Sequence, residues 1–226
     1  MIQVENAGRE LAADFAESGT NPMSSFGQIG KRAFDIAAAT IALLLLSPLI
    51  LLVCLVIKLD SRGPILCRYK RCGINNKTIE VFEFRSTSAG HENQTVDYAA
   101  RKNCSVTRFG GLLRGSDIDK IPQLINVLLG EMSIVGPRLY STALSSTLRE
   151  QISLLPDQRH VKPGIFSWAQ VNGYREKTDN ILENYELRVA FDLYYVNNHS
   201  LLLDLKIILL TFFSMKTCHL GNPKFR

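Results

Sequence analysis

The sequence has no CxxC pair, and its five cysteines, Cys54, Cys67, Cys72, Cys104 and Cys218, are odd in number. Both lacks argue against a disulfide framework or a structural zinc site; reduced, cytosol-facing thiols are expected instead. No secretory signal pattern is visible, because the apolar run starts too late and no small-residue cleavage site follows it. No internal repeat is visible either. Charge of one sign is only mildly in excess, with 26 Lys and Arg against 21 Asp and Glu and a formal charge of +5. That balance suits a phosphate-bearing partner or an anionic membrane surface and demands neither.

What the chain does have is an uneven distribution of apolar residues. Residues 1–30 are polar and rich in small residues, and read as a mobile leader. Ile36 to Ile57 are 22 consecutive uncharged residues, long enough for a helix to cross a bilayer core of roughly 30 Å. Ser47-Pro48 falls in the middle, where proline removes a backbone donor and bends a helix. Both flanks are basic, Lys31 and Arg32 before and Lys58 and Arg62 after, and basic flanks prefer the cytoplasmic side. Two readings stay open from the residues: a proline-kinked span, or a re-entrant hairpin over 31–58 that enters and leaves one leaflet.

Downstream, Ile65–Tyr69 and Thr78–Phe82 read as strands around a turn at Gly73-Ile74-Asn75-Asn76. Residues 88–105 are polar and read as a loop or an irregular helix. A helix is expected from Ser116 as its N-cap, with Ile118, Ile121, Leu124, Ile125 and Leu128 at helical spacing and Gly130 as the stop. A polar helix is expected over 141–154, a loop from His160 to Gly173 with a turn at Pro163-Gly164, and a helix over 180–196. Leu201 to Phe213 is apolar except for Asp204, Lys206 and Thr211 and too short to span a bilayer. It suits an interfacial helix or a core helix.

The densest polar cluster is residues 108–138. Arg108, Arg114 and Arg138 carry planar forks suited to phosphate oxygens. Asp117 and Asp119 stand at the expected helix start, where the dipole keeps a carboxylate ionised. Such a carboxylate can hold Mg²⁺ or attack phosphorus, or merely cap a helix. The basic residues are also compatible with a nucleic-acid surface.

Ordered blocks carry a more specific signal. KRAFDI (31–36), SPLIL (47–51), GPI (63–65), FRS (84–86), TRFG (107–110), LLR (112–114), D-x-I-PQL (119–124), NVLLGEMSIVGPR (126–138), RHVKPGI (159–165), WAQVNGYR (168–175) and DLYYVNNHSLLLDLKIILLT (192–211) together resemble the bacterial sugar transferase family, the monotopic phosphoglycosyl transferases. The resemblance implies an α+β fold: a re-entrant membrane hairpin broken at Ser47 and Pro48, a small cytoplasmic globular domain over 59–215, interfacial amphipathic helices and a tail over 216–226. It implies transfer of hexose-1-phosphate from a UDP-hexose to undecaprenyl phosphate, the first step of exopolysaccharide assembly, at the bacterial inner membrane with the domain facing the cytoplasm. Asp119 would be the nucleophile. Arg85, Arg114 and Arg138 would hold phosphates, with Asp117 and Lys120 as auxiliary residues. Mg²⁺ is the implied cofactor, with Asp119 or Asp117 as its carboxylate. The implied partners are the lipid bilayer and other polysaccharide-assembly proteins, and no nucleic acid.

The chain departs from the family pattern around this site. The usual Asp-Glu pair reads Asp119-Lys120, the usual Lys-Phe-Arg reads Glu83-Phe84-Arg85, and the usual Pro-Arg-Pro reads Pro137-Arg138-Leu139. Asn103-Cys104-Ser105 stands for Asp-Pro-Arg, and Ser167 for a glycine. These changes leave a second expectation beside the first: a catalytically impaired relative that modulates polysaccharide output by binding substrate or a partner.

Overall fold

The computed structural model describes residues 25–74, 77–87, 95–96, 106–141, 161–173 and 181–219. The apolar run forms a single helix, α1 (Ser25–Asp60), which begins inside the segment read as leader and continues through Pro48. Among the described residues it is the one helix long and apolar enough to cross a membrane. Proline at 48 has no N–H for the carbonyl of Leu44, but the Ser47 hydroxyl donates to that carbonyl at 2.8 Å. The Ser-Pro pair therefore breaks the ladder and repairs the lost bond with a side chain.

Both limbs of α1 dock on the same domain. In the first limb, Arg32 donates to Val127 O and Leu128 O, and the Asp35 carboxylate accepts from the backbone of Ile134. Ala39 is fully buried in the main core with Val81, Val127, Met132, Val135, Tyr195 and Ile207. In the second limb, Val53 and Ile57 pack with Phe84 and Leu113 in a separate cluster, and Ile121 touches both cores. Between the limbs Leu44, Leu45, Leu51 and Leu52 are exposed.

The expected hairpin is present as β1 (Leu66–Cys72) antiparallel to β2 (Thr78–Phe84), with Tyr69 opposite Val81. On its other edge β1 pairs in parallel with β3 (Thr95–Val96) and antiparallel with β5 (Tyr140–Ser141). The loop or irregular helix expected over 88–105 lies outside the described residues apart from β3. The helix expected over 141–154 also lies outside them, apart from Ser141 at the end of β5.

The helix expected from Ser116 is instead a 3-10 turn and a short helix, preceded by a separate helix that ends at Gly115. Helix α2 (Arg108–Gly115) is capped by Thr107, whose hydroxyl accepts from Gly110 N, and Ser116 is its C-cap rather than an N-cap. The chain then turns left-handed at Asp117 (φ 57°), makes a 3-10 turn over Ile118–Lys120 and enters α3 (Gln123–Leu129) behind Pro122. The apolar spacing was a true signal of burial, but Pro122, lacking an N–H, starts a helix better than it continues one. Gly130 ends α3 in the left-handed region, as expected (φ 85°).

The segment expected as loop from His160 to Gly173 holds two short elements. Strand β6 (Gly164–Phe166) pairs in parallel with β4 (Ser133–Val135), and α4 (Trp168–Val171) follows, capped by Ser167. A three-residue strand has too little pattern to be seen in sequence. A Cβ on Gly164 would stand 2.0 Å from Gly136 N, so the two backbones touch where only glycine fits. Helices α5 (Ile181–Asn198) and α6 (Leu201–His219) complete the order. Helix α6 is inverted for a soluble protein: Asp204 and Thr211 are buried with Ile207, whereas Leu201, Leu202, Leu205 and Leu209 are exposed.

Candidate active site

The N-terminal end of β2 faces α3, and its C-terminal end leads into the site. Asn126, fully buried, accepts from Phe82 N and donates to Glu80 O and Glu131, so one amide closes the outer edge of β2 onto α3. That leaves Glu83, Arg85 and Ser86, all buried, at the junction of β2, α2 and the 3-10 turn. Gly110 allows this junction: a Cβ there would lie 2.0 Å from Ser86 O.

Asp119 sits in the 3-10 turn and is 2% exposed. A carboxylate this buried needs cations or donors around it to remain ionised. Lys120, next in sequence, points into an open cleft of about 430 Å³ lined by Arg71, Glu83, Lys120, Gln123, Arg138, Leu139, Gly164 and Ile165. Arg138 reaches the cleft from the loop after β4. Its backbone N–H donates to the Asp192 carboxylate, and its guanidinium donates to Gln170 Oε1 at 3.3 Å. Glu83 lies in the wall, 3.9 Å from Arg71 and 3.3 Å from the Gln123 amide nitrogen. Lys120 Nζ is 2.6 Å from Asp117 Oδ1. Asp117 and Lys120 are thus partners across an i, i+3 spacing.

The three other arginines singled out from sequence, Arg85, Arg108 and Arg114, are not among the described residues lining the cleft. Arg114 donates from Nε to the Ser86 hydroxyl at 2.7 Å. Arg85 donates from Nη2 to Ile57 O and to Ser61, which ties the exit of α1 to β2. Its Nε and Nη1 are buried without a hydrogen-bond partner. Unpartnered buried donors are rare, and an anion would satisfy these two. Arg71 and Gln123 were not singled out in the sequence, because a cleft wall assembled from a strand and a distant helix leaves no local motif.

No three or more His, Cys, Asp and Glu side chains among the described residues converge as a metal cage. Mg²⁺ needs no such cage, because it commonly rests on one or two carboxylates and the substrate's phosphates. The donor set fits an ion of that kind, carried with a pyrophosphate, with Asp119 or Asp117 as the protein carboxylate.

A buried carboxylate beside a cation-lined cleft, on an α+β domain that grips both limbs of an apolar helix, is the class of site this fold defines. Residues 26–217 match the family described as Bacterial sugar transferase, and the chain belongs to that family. It is 43% identical over 192 residues to the UDP-glucose:undecaprenyl-phosphate glucose-1-phosphate transferase of Escherichia coli (strain K12), a match covering 85% of this chain and 41% of that protein. It is 42% identical over 182 residues to exopolysaccharide production protein PSS of Rhizobium leguminosarum bv. phaseoli, covering 79% of this chain and 90% of that protein. The undecaprenyl-phosphate glucose phosphotransferase of Komagataeibacter xylinus is 42% identical over 197 residues, covering 84% of this chain and 36% of that protein. The chain thus spans about two fifths of the length of the longer relatives and nearly all of the shorter one.

Proposed function

We propose that the protein transfers a hexose-1-phosphate from a UDP-sugar to undecaprenyl phosphate, as the first step of exopolysaccharide assembly. The observation that carries this reading is the buried Asp119 immediately before a cleft with three cations, Arg71, Lys120 and Arg138, in a chain matched by relatives named for this reaction. An Asp119 oxygen attacks the sugar-bearing phosphorus, the bond to the bridging oxygen breaks, and UMP leaves with that electron pair. An oxygen of the polyprenyl phosphate then attacks the same phosphorus and releases the Asp119 carboxylate. In this reading Arg138, which lines the cleft, holds phosphate oxygens, and the family resemblance extends that role to Arg85 and Arg114; phosphoryl transfer depends chiefly on positioning and charge stabilisation. Mg²⁺ bound with the pyrophosphate would neutralise charge developing on the leaving group.

The lipid acceptor requires a membrane-seated enzyme. A straight α1 would separate Asp35 from Ile57 by about 33 Å, yet both dock on one domain. Docking of both limbs, the Ser47 repair at Leu44 and exposed leucines between the limbs support a re-entrant hairpin in the cytoplasmic leaflet of the inner membrane. The exposed leucines of α6 support its lying on that same surface.

Incubating the detergent-solubilised chain with UDP-glucose and related UDP-sugars tests the reading. UMP release and a sugar-phosphate adduct on the protein are expected, both abolished in Asp119→Asn because a neutral amide is a poor nucleophile. UMP release persisting in that variant would overturn the assignment of Asp119. A wild type that binds UDP and releases no UMP would instead support the second reading, a silent relative, which Lys120 in place of a carboxylate favours.

A further inference from the structure

Arg138 lies on the loop after β4, yet other elements decide where it stands. The Gly136 N–H donates to Phe166 O at 3.0 Å, and Pro137 O accepts from the Gly164 N–H at 2.9 Å, so both bonds tie the loop to β6. The Arg138 N–H donates to the carboxylate of Asp192, a fully buried residue of α5, at 3.1 Å. Three successive residues are thereby fastened through their main chain. The side chain is aimed separately. Its Nη1 donates to Gln170 Oε1 at 3.3 Å. Gln170 is buried on α4, where its own N–H donates to the Ser167 hydroxyl, and α4 packs on α5 and α6. Arg138 lines the cleft, whereas Gln170 is not among the described residues that do. The chemistry of this contact matters. Arginine has much rotamer freedom to lose on binding an anion, and a partner that already holds it removes part of that loss. A carboxylate would hold the guanidinium by cancelling the charge a phosphate needs. The Gln170 oxygen is neutral, so this contact orients the cation and leaves its charge for a ligand.

We infer that Gln170 is a positioning residue of the cleft, orienting the Arg138 guanidinium toward the phosphates of a nucleoside diphosphate through a neutral oxygen. Asp192 and β6 hold the main chain from which that side chain reaches. The inference rests on the UDP-sugar reading above and deepens it: affinity for the nucleotide depends on a residue behind the cleft wall and acts through Arg138.

The test is a double-mutant cycle on the full chain in detergent, read by calorimetric binding of UDP. Gln170→Met keeps the length of the side chain and removes the acceptor, and is expected to weaken UDP binding about fivefold. In an Arg138→Met background, where no guanidinium remains to be aimed, the same change should alter UDP binding by less than about twofold. A role confined to packing would give the same loss in both backgrounds, and that result overturns the inference, as does a Gln170→Met variant that binds UDP like wild type. Gln170→Glu supplies the competing carboxylate at nearly unchanged volume and should weaken UDP binding more than Gln170→Met does, by about tenfold or more. Binding by Gln170→Glu equal to wild type also overturns the inference. If Gln170→Met shows no cooperative melting, Gln170→Glu takes its place in the cycle, with a smaller loss expected in the Arg138→Met background and an equal loss overturning the proposal. Wild type that binds UDP but releases no UMP from any UDP-sugar overturns the transferase reading alone, since the cycle is read by binding. Wild type that binds no UDP overturns both.

Discussion

Gly110 shows how much a single residue decides. Its Cα lies against the backbone of Ser86, and a methyl group would have to displace a main-chain carbonyl rather than a side chain. Gly110→Ala should therefore cost about 3 kcal/mol or more through overpacking, lowering the denaturant midpoint and, because α2 carries Arg114, UMP release with it. Tyr195 makes a different point. Its hydroxyl donates to Asp204 Oδ1 at 2.7 Å, Lys31 Nζ lies 2.6 Å from Asp204 Oδ2, and all three belong to the joint between α1, α5 and α6. Burial first, and then the Asp204 charge, push the phenol well above its ordinary pKa of 10.0. A raised pKa favours the protonated form on folding, so its stabilisation is complete below about pH 10 and is lost as pH rises through the folded value. Wild type should thus lose stability above pH 10 more steeply than Tyr195→Phe, while at neutral pH the phenylalanine variant should be less stable by about 1.5–3 kcal/mol, the worth of a buried bond to a charged acceptor. Chemical denaturation at pH 7 and pH 10.5 checks both signs. Lys162 has the opposite sign. Burial, and then the neighbouring Arg32, lower its pKa, so its charge opposes folding at neutral pH.

At the scale of elements, α1 is the part whose behaviour depends on two adjacent residues. Pro48→Leu restores an N–H donor for the Leu44 carbonyl and removes the ring that strains the preceding turn. With the helix straight, one limb must leave the domain, so cysteines placed near residues 25 and 65 should become labelled from opposite faces of the membrane. In the wild type both should be labelled from the cytoplasmic face, and labelling of either only from the other face would sink the hairpin. Helix α6 offers a complementary measurement. Leu202 and Leu205 are exposed on the side away from Asp204. Changing both to Asp should reduce binding to vesicles containing anionic lipid and slow transfer to the lipid acceptor, while UMP release from UDP-sugar in detergent stays within about threefold of wild type. Equal loss of both activities would place these leucines in the folded core instead.

At the scale of the whole molecule, periodicity and local chemistry made much of the fold legible. The apolar run, the β1–β2 hairpin, the Gly130 stop and the helix over 181–198 each follow from residues within one turn or one strand of each other. The order of the sequence blocks was enough to give the family and to single out Asp119. The sequence missed the features that depend on contacts made at a distance. Apolar spacing across Ser116–Leu128 indicates burial equally well for one helix or for a 3-10 turn followed by a helix; the backbone turn at Asp117 and Pro122 decide between them. The same is true of the basic flank of α1. Lys31 and Arg32 read as membrane-flanking charges, and the structure spends their donors on Asp204, Val135, Val127 and Leu128, so they fasten the helix to the domain. The cleft is the clearest case. Glu83 and Lys120 lie far apart along the chain. Only the packing of α3 against β2 puts them on one wall, because the strand-to-helix contacts through Asn126 and Gln123 fix which side chains share a cavity, and no spacing within a single element encodes that.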